Sequence, residues 1–166
     1  MTDDLLKRIN LEQLYPPFAE RIRIMLEACR ERGADYFAIS GFRSYLEQAE
    51  LFAQGRTTIG KKVTNAKPGE SAHNFGIAVD FCRDADATRA GLQPGWKPED
   101  YAILGEEAER AGLVWGGDWA MKDLPHVQLA GFVTRLDLQP LRKAFVVGGL
   151  PAVFAFLDSV EVVDAP

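Results

Sequence analysis

The sequence predicts an α+β fold: a small, mainly antiparallel sheet with helices packed on its apolar face and a candidate site on the opposite, open face. Three observations lead there. Residues 76–82 and 125–129 alternate apolar and polar side chains at strand period. Residues 17–32, 44–54 and 98–111 carry helix patterns or helix start and stop signals. The polar positions of the two alternating segments hold Asp80 and His126, with His73 just upstream of the first.

In chain order, residues 1–16 form a lead-in closed by Pro16 and Pro17. The helix at 17–32 follows, its stripe made of Phe18, Ile22, Met25, Leu26 and Cys29 and its stop at Gly33. Residues 35–40 read as a strand. Gly41-Phe42-Arg43-Ser44 is a tight exit into the second helix, where Ser44 and Glu47 form a capping box. Residues 55–70 are irregular, broken by Gly55, Gly60, Pro68 and Gly69. Arg56, Lys61, Lys62 and Lys67 make this the one locally basic stretch, either a solvated loop or a rim that attracts an acidic substrate.

In the strand at 76–82, Ile77, Val79 and Phe81 face one side and Gly76, Ala78 and Asp80 the other. A polar loop spans 83–96; its Asp84 and Asp86 are too few carboxylates for a calcium site. The third helix, 98–111, ends at Gly112. A short strand at 113–116 leads into a turn at Gly117-Asp118-Trp119. In the last strand Val127 and Leu129 take one face, His126 and Gln128 the other. Residues 132–166 read as a helical extension interrupted at Gly148-Gly149, giving two short helices that pack on the core.

With 166 residues and no internal repeat, one domain covering 1–166 is expected, its core at about 10–130. A net charge of −5 without a long basic run argues against nucleic acid as a partner. Cys29 and Cys82 lack metal-type spacing and are expected as buried free thiols, with a disulfide as the alternative. The start, Met-Thr-Asp-Asp-Leu-Leu-Lys-Arg, has no signal-peptide pattern. The apolar stretch 144–157 is shorter than the ~20 residues that span a bilayer. The expectation is therefore a monomer made in the cytoplasm, not stably inserted in a membrane, and delivered to any outside substrate by another route.

The two histidines of the chain, His73 and His126, flank Gly- and Pro-rich turns, each a short step from an acidic residue. Two histidines and one carboxylate are a common ligand set for a catalytic zinc. His73, Asp80 and His126 are thus the candidate ligands of one metal ion. A hydrolytic site also needs a group that accepts and passes on a proton. Asp123, three residues before His126 and stiffened by Pro125, is the candidate, with Glu70 and Asp118 as weaker ones. Arg43, at a strand exit, is placed to stabilise an oxyanion.

Four blocks then stand in order: Ser40-Gly41-Phe42-Arg43-Ser44 with Glu47-Gln48; Gly55-Arg56; Ser71-x-His73-x-x-Gly76-x-Ala78-x-Asp80; and Trp115-Gly116-Gly117-Asp118-Trp119 leading to Asp123-x-Pro125-His126. In this combination the chain resembles the zinc peptidases of bacterial cell walls that include D-alanyl-D-alanine carboxypeptidases and L-alanyl-D-glutamate endopeptidases, many of the latter bacteriophage endolysins. The resemblance implies one zinc ion on His73, Asp80 and His126, with Asp123 as general base. It implies that Arg43, Gln48 and Ser71 bind substrate or stabilise the transition state. The Trp-Gly-Gly-Asp-Trp block looks more like the endopeptidase branch. The implied partner is the peptidoglycan stem peptide, cut at L-Ala–D-Glu. The alternatives are a carboxypeptidase or dipeptidase cutting D-Ala–D-Ala, and a zinc-stabilised binding domain without activity.

Overall fold

A computed structural model describes residues 2–86 and 88–160. The lead-in is short helix α1 (Asp3–Leu6) and a 3-10 turn at Leu11–Gln13, fastened by buried Leu5, Leu6, Leu14 and Tyr15. Helix α2 (Pro16–Glu31) buries the predicted stripe of Phe18, Ile22, Met25, Leu26 and Cys29. Burial of about 1.5–3 kcal/mol per large apolar side chain outweighs differences in helix propensity, so the stripe fixes how α2 lies. Strand β1 (Tyr36–Ser40) runs into helix α3 (Tyr45–Ala53). Both halves of the predicted capping box form: Ser44 Oγ accepts from Glu47 N at 3.2 Å, and Glu47 Oε2 accepts from Ser44 N at 2.8 Å.

A 3-10 turn at Ala72–Phe75 precedes strand β2 (Ala78–Asp84). Next come the two-residue strand β3 (Pro94–Gly95), a 3-10 turn at Pro98–Tyr101, helix α4 (Ala102–Arg110), strand β4 (Leu113–Trp115) and a 3-10 turn at Gly116–Asp118. Strand β5 (His126–Leu129) and helix α5 (Gln139–Ser159) complete the described chain. The architecture is the expected α+β one. The sheet is antiparallel in order β1-β2-β5-β4, with β3 paired to β2.

Strand phase is as expected. Ile77, Val79, Phe81, Val127 and Leu129 are buried in one cluster with the stripes of α2 and α4. The other face is walled: loops before β2 and on both sides of β5 rise around it and leave a cleft of about 680 Å³ lined by His73, Asp80, Asp123 and His126. Both cysteines are buried and free, which removes the disulfide alternative.

Helix α5 keeps the expected interruption at Gly148-Gly149 but is longer than the apolar stretch alone suggests. Pro140, in its first turn, starts it before the apolar stretch, so it is 21 residues long and by length and composition could cross a membrane. Gly148 and Gly149 leave helical geometry and break it in two. Its inner side is built into the domain through buried Leu141, Val153 and Leu157. Its outer side is open, with Val146 77% and Val147 86% exposed, so only one face of each half packs on the core.

Candidate metal centre

His73, Asp80 and His126 meet because three local structures put them together. Asp80 lies on β2 between two partners, opposite Ser40 of β1 and His126 of β5. His73 sits in the 3-10 turn before β2, and Gly76 closes that turn in the left-handed region at φ 69°. A side chain at 76 would also collide with Gln13 O. The turn reverses the chain, so His73 faces the aspartate seven positions later.

The donor atoms converge. His73 Nε2 and His126 Nδ1 each lie 3.1 Å from Asp80 Oδ1, and one donor atom from each residue falls within 4.8 Å of the others. The opposite ring nitrogens are committed. His73 Nδ1 donates to Gly41 O at 2.7 Å, and His126 Nε2 donates to Gln128 Oε1 at 2.9 Å. In neutral rings, therefore, both inner nitrogens carry lone pairs aimed at a carboxylate. Three electron-pair donors facing one point call for a cation, and two nitrogens with one oxygen suit zinc. The residues fit the metal.

The charges agree. Burial disfavours the charged form of Asp80, but the two histidines outweigh it and hold the carboxyl far below its ordinary range. Burial pulls His126 down, but the Asp80 hydrogen bond and charge outweigh that, and its pKa is raised. The rings of His73 and His126 lie 5.1 Å apart, and Trp119 covers His126 at 5.0 Å. Trp119 Nε1 is buried with no hydrogen-bond partner among the described residues.

Asp123 is on the cleft wall. Its N–H donates to Gly116 O, and its carbonyl accepts from His126 N, which ties it to the ligand strand. Its carboxylate has no hydrogen bond or ion pair to any described residue, so it is free to meet substrate or water. Desolvation raises its pKa; His126 opposes this, Asp80 adds to it, and His73 and Arg43 oppose it. The residue itself is exposed, so screening limits that shift. Of the competitors, Glu70 pairs with Arg135 at 3.4 Å, and exposed Asp118 is not on the cleft lining.

Arg43 reaches toward the site with Nη2 3.6 Å from Asp80 Oδ2, and donates to Ser40 Oγ at 3.2 Å and Gln48 Oε1 at 3.0 Å. Gln48 is fully buried, and its Nε2 donates to Ala66 O at 2.7 Å. Its amide thus stands behind Arg43 and holds it against the 64–66 loop, with no surface on the cleft. Ser71 lines the cleft and its side chain does not cap the turn it precedes.

Of the two readings of the basic stretch, the structure agrees with the solvated loop. Arg56 donates to Phe52 O and Thr64 O and stacks on Phe52 at 4.0 Å, so it is a strut inside its loop. Lys61, Lys62 and Lys67 are exposed but off the cleft lining, whose cations are Arg43, Lys122 and Arg135.

Sequence reasoning missed Asn74 and Gln128. Buried Asn74 accepts from Gly69 N and donates to Arg43 O, joining the histidine turn to the arginine. The available signal was a polar amide next to His73; for Gln128 it was a polar residue two positions from His126 on the same strand face.

Comparisons with known proteins point the same way. The family model for VanY, D-alanyl-D-alanine carboxypeptidase, matches residues 11–122. The chain is similar to the peptidoglycan L-alanyl-D-glutamate endopeptidase CwlK of Bacillus subtilis (strain 168), with 39% identity over 124 residues, 70% of this chain and 73% of that protein. Among solved structures, it is similar to the L-Ala D-Glu endopeptidase ChiX of Serratia marcescens, with a TM-score of 0.52 and 27% identity, covering 72% of this chain and 82% of that one. A structure of VanYB in complex with D-alanine-D-alanine shares the fold, with a TM-score of 0.53 and 19% identity over 87% of this chain and 82% of that one.

Proposed function

The chain belongs to the D-alanyl-D-alanine carboxypeptidase (VanY) family, and from that membership we propose a zinc-dependent peptidoglycan hydrolase that cleaves the L-Ala–D-Glu bond of the stem peptide. One observation carries the hydrolytic reading. The lone pairs of His73, Asp80 and His126 converge in a cleft beside a free Asp123 carboxylate and the Arg43 guanidinium. The choice of bond is supported by the similarity to CwlK and ChiX, both named for L-Ala–D-Glu cleavage.

His73, Asp80 and His126 would hold the ion. Zinc bound there supplies a Lewis acid that polarises the scissile carbonyl and makes water acidic. Asp123 accepts a proton from the attacking water and returns it to the leaving amine nitrogen as the C–N bond breaks. Arg43 holds positive charge toward the oxygen that becomes anionic. Ser71 offers a hydroxyl to the peptide from the cleft wall, and Gln48 keeps Arg43 in place. A domain held together by Asp80 and the histidines alone, without activity, would need neither Asp123 nor Arg43.

The deciding experiment is digestion of purified peptidoglycan with and without chelator, read by mass spectrometry. Stem peptides that begin after L-Ala are expected, with none once zinc is removed. Release of D-Ala or its dipeptide would instead favour the carboxypeptidase reading, which the family name supports. Asp123→Ala is expected to keep one equivalent of zinc and lose roughly 10²–10⁴-fold in rate. Comparable cleavage by that variant would remove Asp123 as the base.

The finer parts of the reading are a monomeric single domain over 1–166, with 132–166 as its extension, of which residues 161–166 lie outside the described residues, and an endolysin-type bacteriolytic role on the wall after release. Stable membrane insertion is not part of it, since Leu141, Val153 and Leu157 of α5 are committed to the core. Turbidity loss of permeabilised cells on adding the protein tests the lytic role.

A further inference from the structure

We propose that Gln128 is a positioning residue that fixes the ring tautomer of His126, so that Nδ1 keeps its lone pair turned toward Asp80 and His73. The inference rests on the metal-dependent reading above. Gln128 is 3% exposed and lies two positions after His126 on the same face of β5. A buried amide in a strand interior must satisfy both its ends. Its Nε2 donates to Phe132 O at 2.7 Å. A carbonyl can only accept, so this contact settles which end of the amide is nitrogen. Oε1 is left as the acceptor facing His126 Nε2 at 2.9 Å, which places the neutral ring's proton on Nε2.

The two histidines need different devices because they present different atoms. His73 turns Nε2 inward, and backbone Gly41 O holds its Nδ1–H. His126 is the direct cross-strand partner of Asp80 and turns Nδ1 inward. Its outer nitrogen, Nε2, is met by the Gln128 side chain, the polar group bonded to it. With the proton on Nδ1 instead, His126 would point N–H into the site and the ligand set would fall from three to two. A partner on the far nitrogen of a metal-bound histidine typically changes metal affinity about 10–100-fold.

The test uses the full chain with Gln128→Met, which keeps volume and removes the acceptor, and Gln128→Glu, which keeps an acceptor for His126 but loses the donor to Phe132 O. Zinc affinity is measured by competition with a chelator, and the His126 tautomer by nitrogen NMR of the metal-free protein above the histidine titration. The expectation is Nε2–H in the parent, a mixed tautomer and about 10–100-fold weaker zinc in Gln128→Met, and return of the Nε2–H tautomer in Gln128→Glu. Unchanged zinc affinity in Gln128→Met, or Nδ1–H in the parent, would overturn the proposal. If Gln128→Met does not fold, the parent tautomer alone decides. Failure of the parent to bind zinc would sink the functional reading, while the tautomer still decides the role of Gln128.

Discussion

Gly116 sets how closely Asp123 approaches the metal ligands. A Cβ at 116 would lie 2.5 Å from Asp123 O and 3.1 Å from both Asp123 Cβ and His126 Cβ. Backbone cannot yield as a flexible side-chain end can, so Gly116→Ala must move the Asp123 segment. About 1–3 kcal/mol of destabilisation is expected from the overpacking. A shift of near 1 Å in the base typically costs on the order of 100-fold in rate. Calorimetry and turnover on the same sample test this; normal turnover with a lowered Tm would show that Asp123's exact place is unimportant. The ligands were legible in the sequence because the chain has two histidines and strand period put Asp80 and His126 on one face. The amides were not. Gln48 was expected to bind substrate or stabilise the transition state; that it is wholly buried and bonded to Arg43 was not legible, because an amide takes its partners from residues distant in sequence.

At the scale of elements, helix α5 acts on the site from behind. Phe145 stacks on Tyr45 at 4.9 Å and meets the edge of Phe75 at 6.1 Å, Phe154 meets Tyr15, and Arg142 donates to Gly69 O. Phe75 belongs to the turn that carries His73. Phe145→Ala is therefore expected to cost about 1–3 kcal/mol, below the loss for a fully buried phenylalanine because the ring is only partly buried. It should also weaken zinc binding, since the histidine turn loses its backing. Thermal melts and chelator competition separate the two effects, and unchanged zinc affinity would confine α5 to stability. Helices α2 and α3 were readable because stripe and capping box are local patterns. Strand β3 was not, because two residues become a strand only through pairing with Arg83 and Asp84. Which side of α5 stays open was not legible for a similar reason: apolar composition says that a segment can pack, and only the fold says which side does.

For the whole molecule, the two perturbed groups of the site tie folding to zinc through pH. Asp80 has a depressed pKa in the fold, so it contributes stability above its unfolded value near ~3.9, lost as pH falls through the folded value. His126 has a raised pKa, so its contribution is complete below about 6.5 and is lost as pH rises through the folded value. The metal-free fold is thus helped most by this pair in mildly acidic solution. Zinc must displace the His126 proton, so its binding strengthens as that proton is lost. Below the folded pKa of His126, zinc affinity should rise roughly tenfold per pH unit for the one proton displaced. The gap in Tm between zinc-loaded and metal-free protein should accordingly widen from about pH 5 upward until the pH passes the folded pKa of His126. Titration calorimetry in two buffers of different ionisation enthalpy counts the released proton directly. A Tm gap that stays constant across that range, with no proton released, would mean that zinc binds somewhere other than between Asp80 and His126. The catalytic assignment of Asp123 and Arg43 would then fall with it.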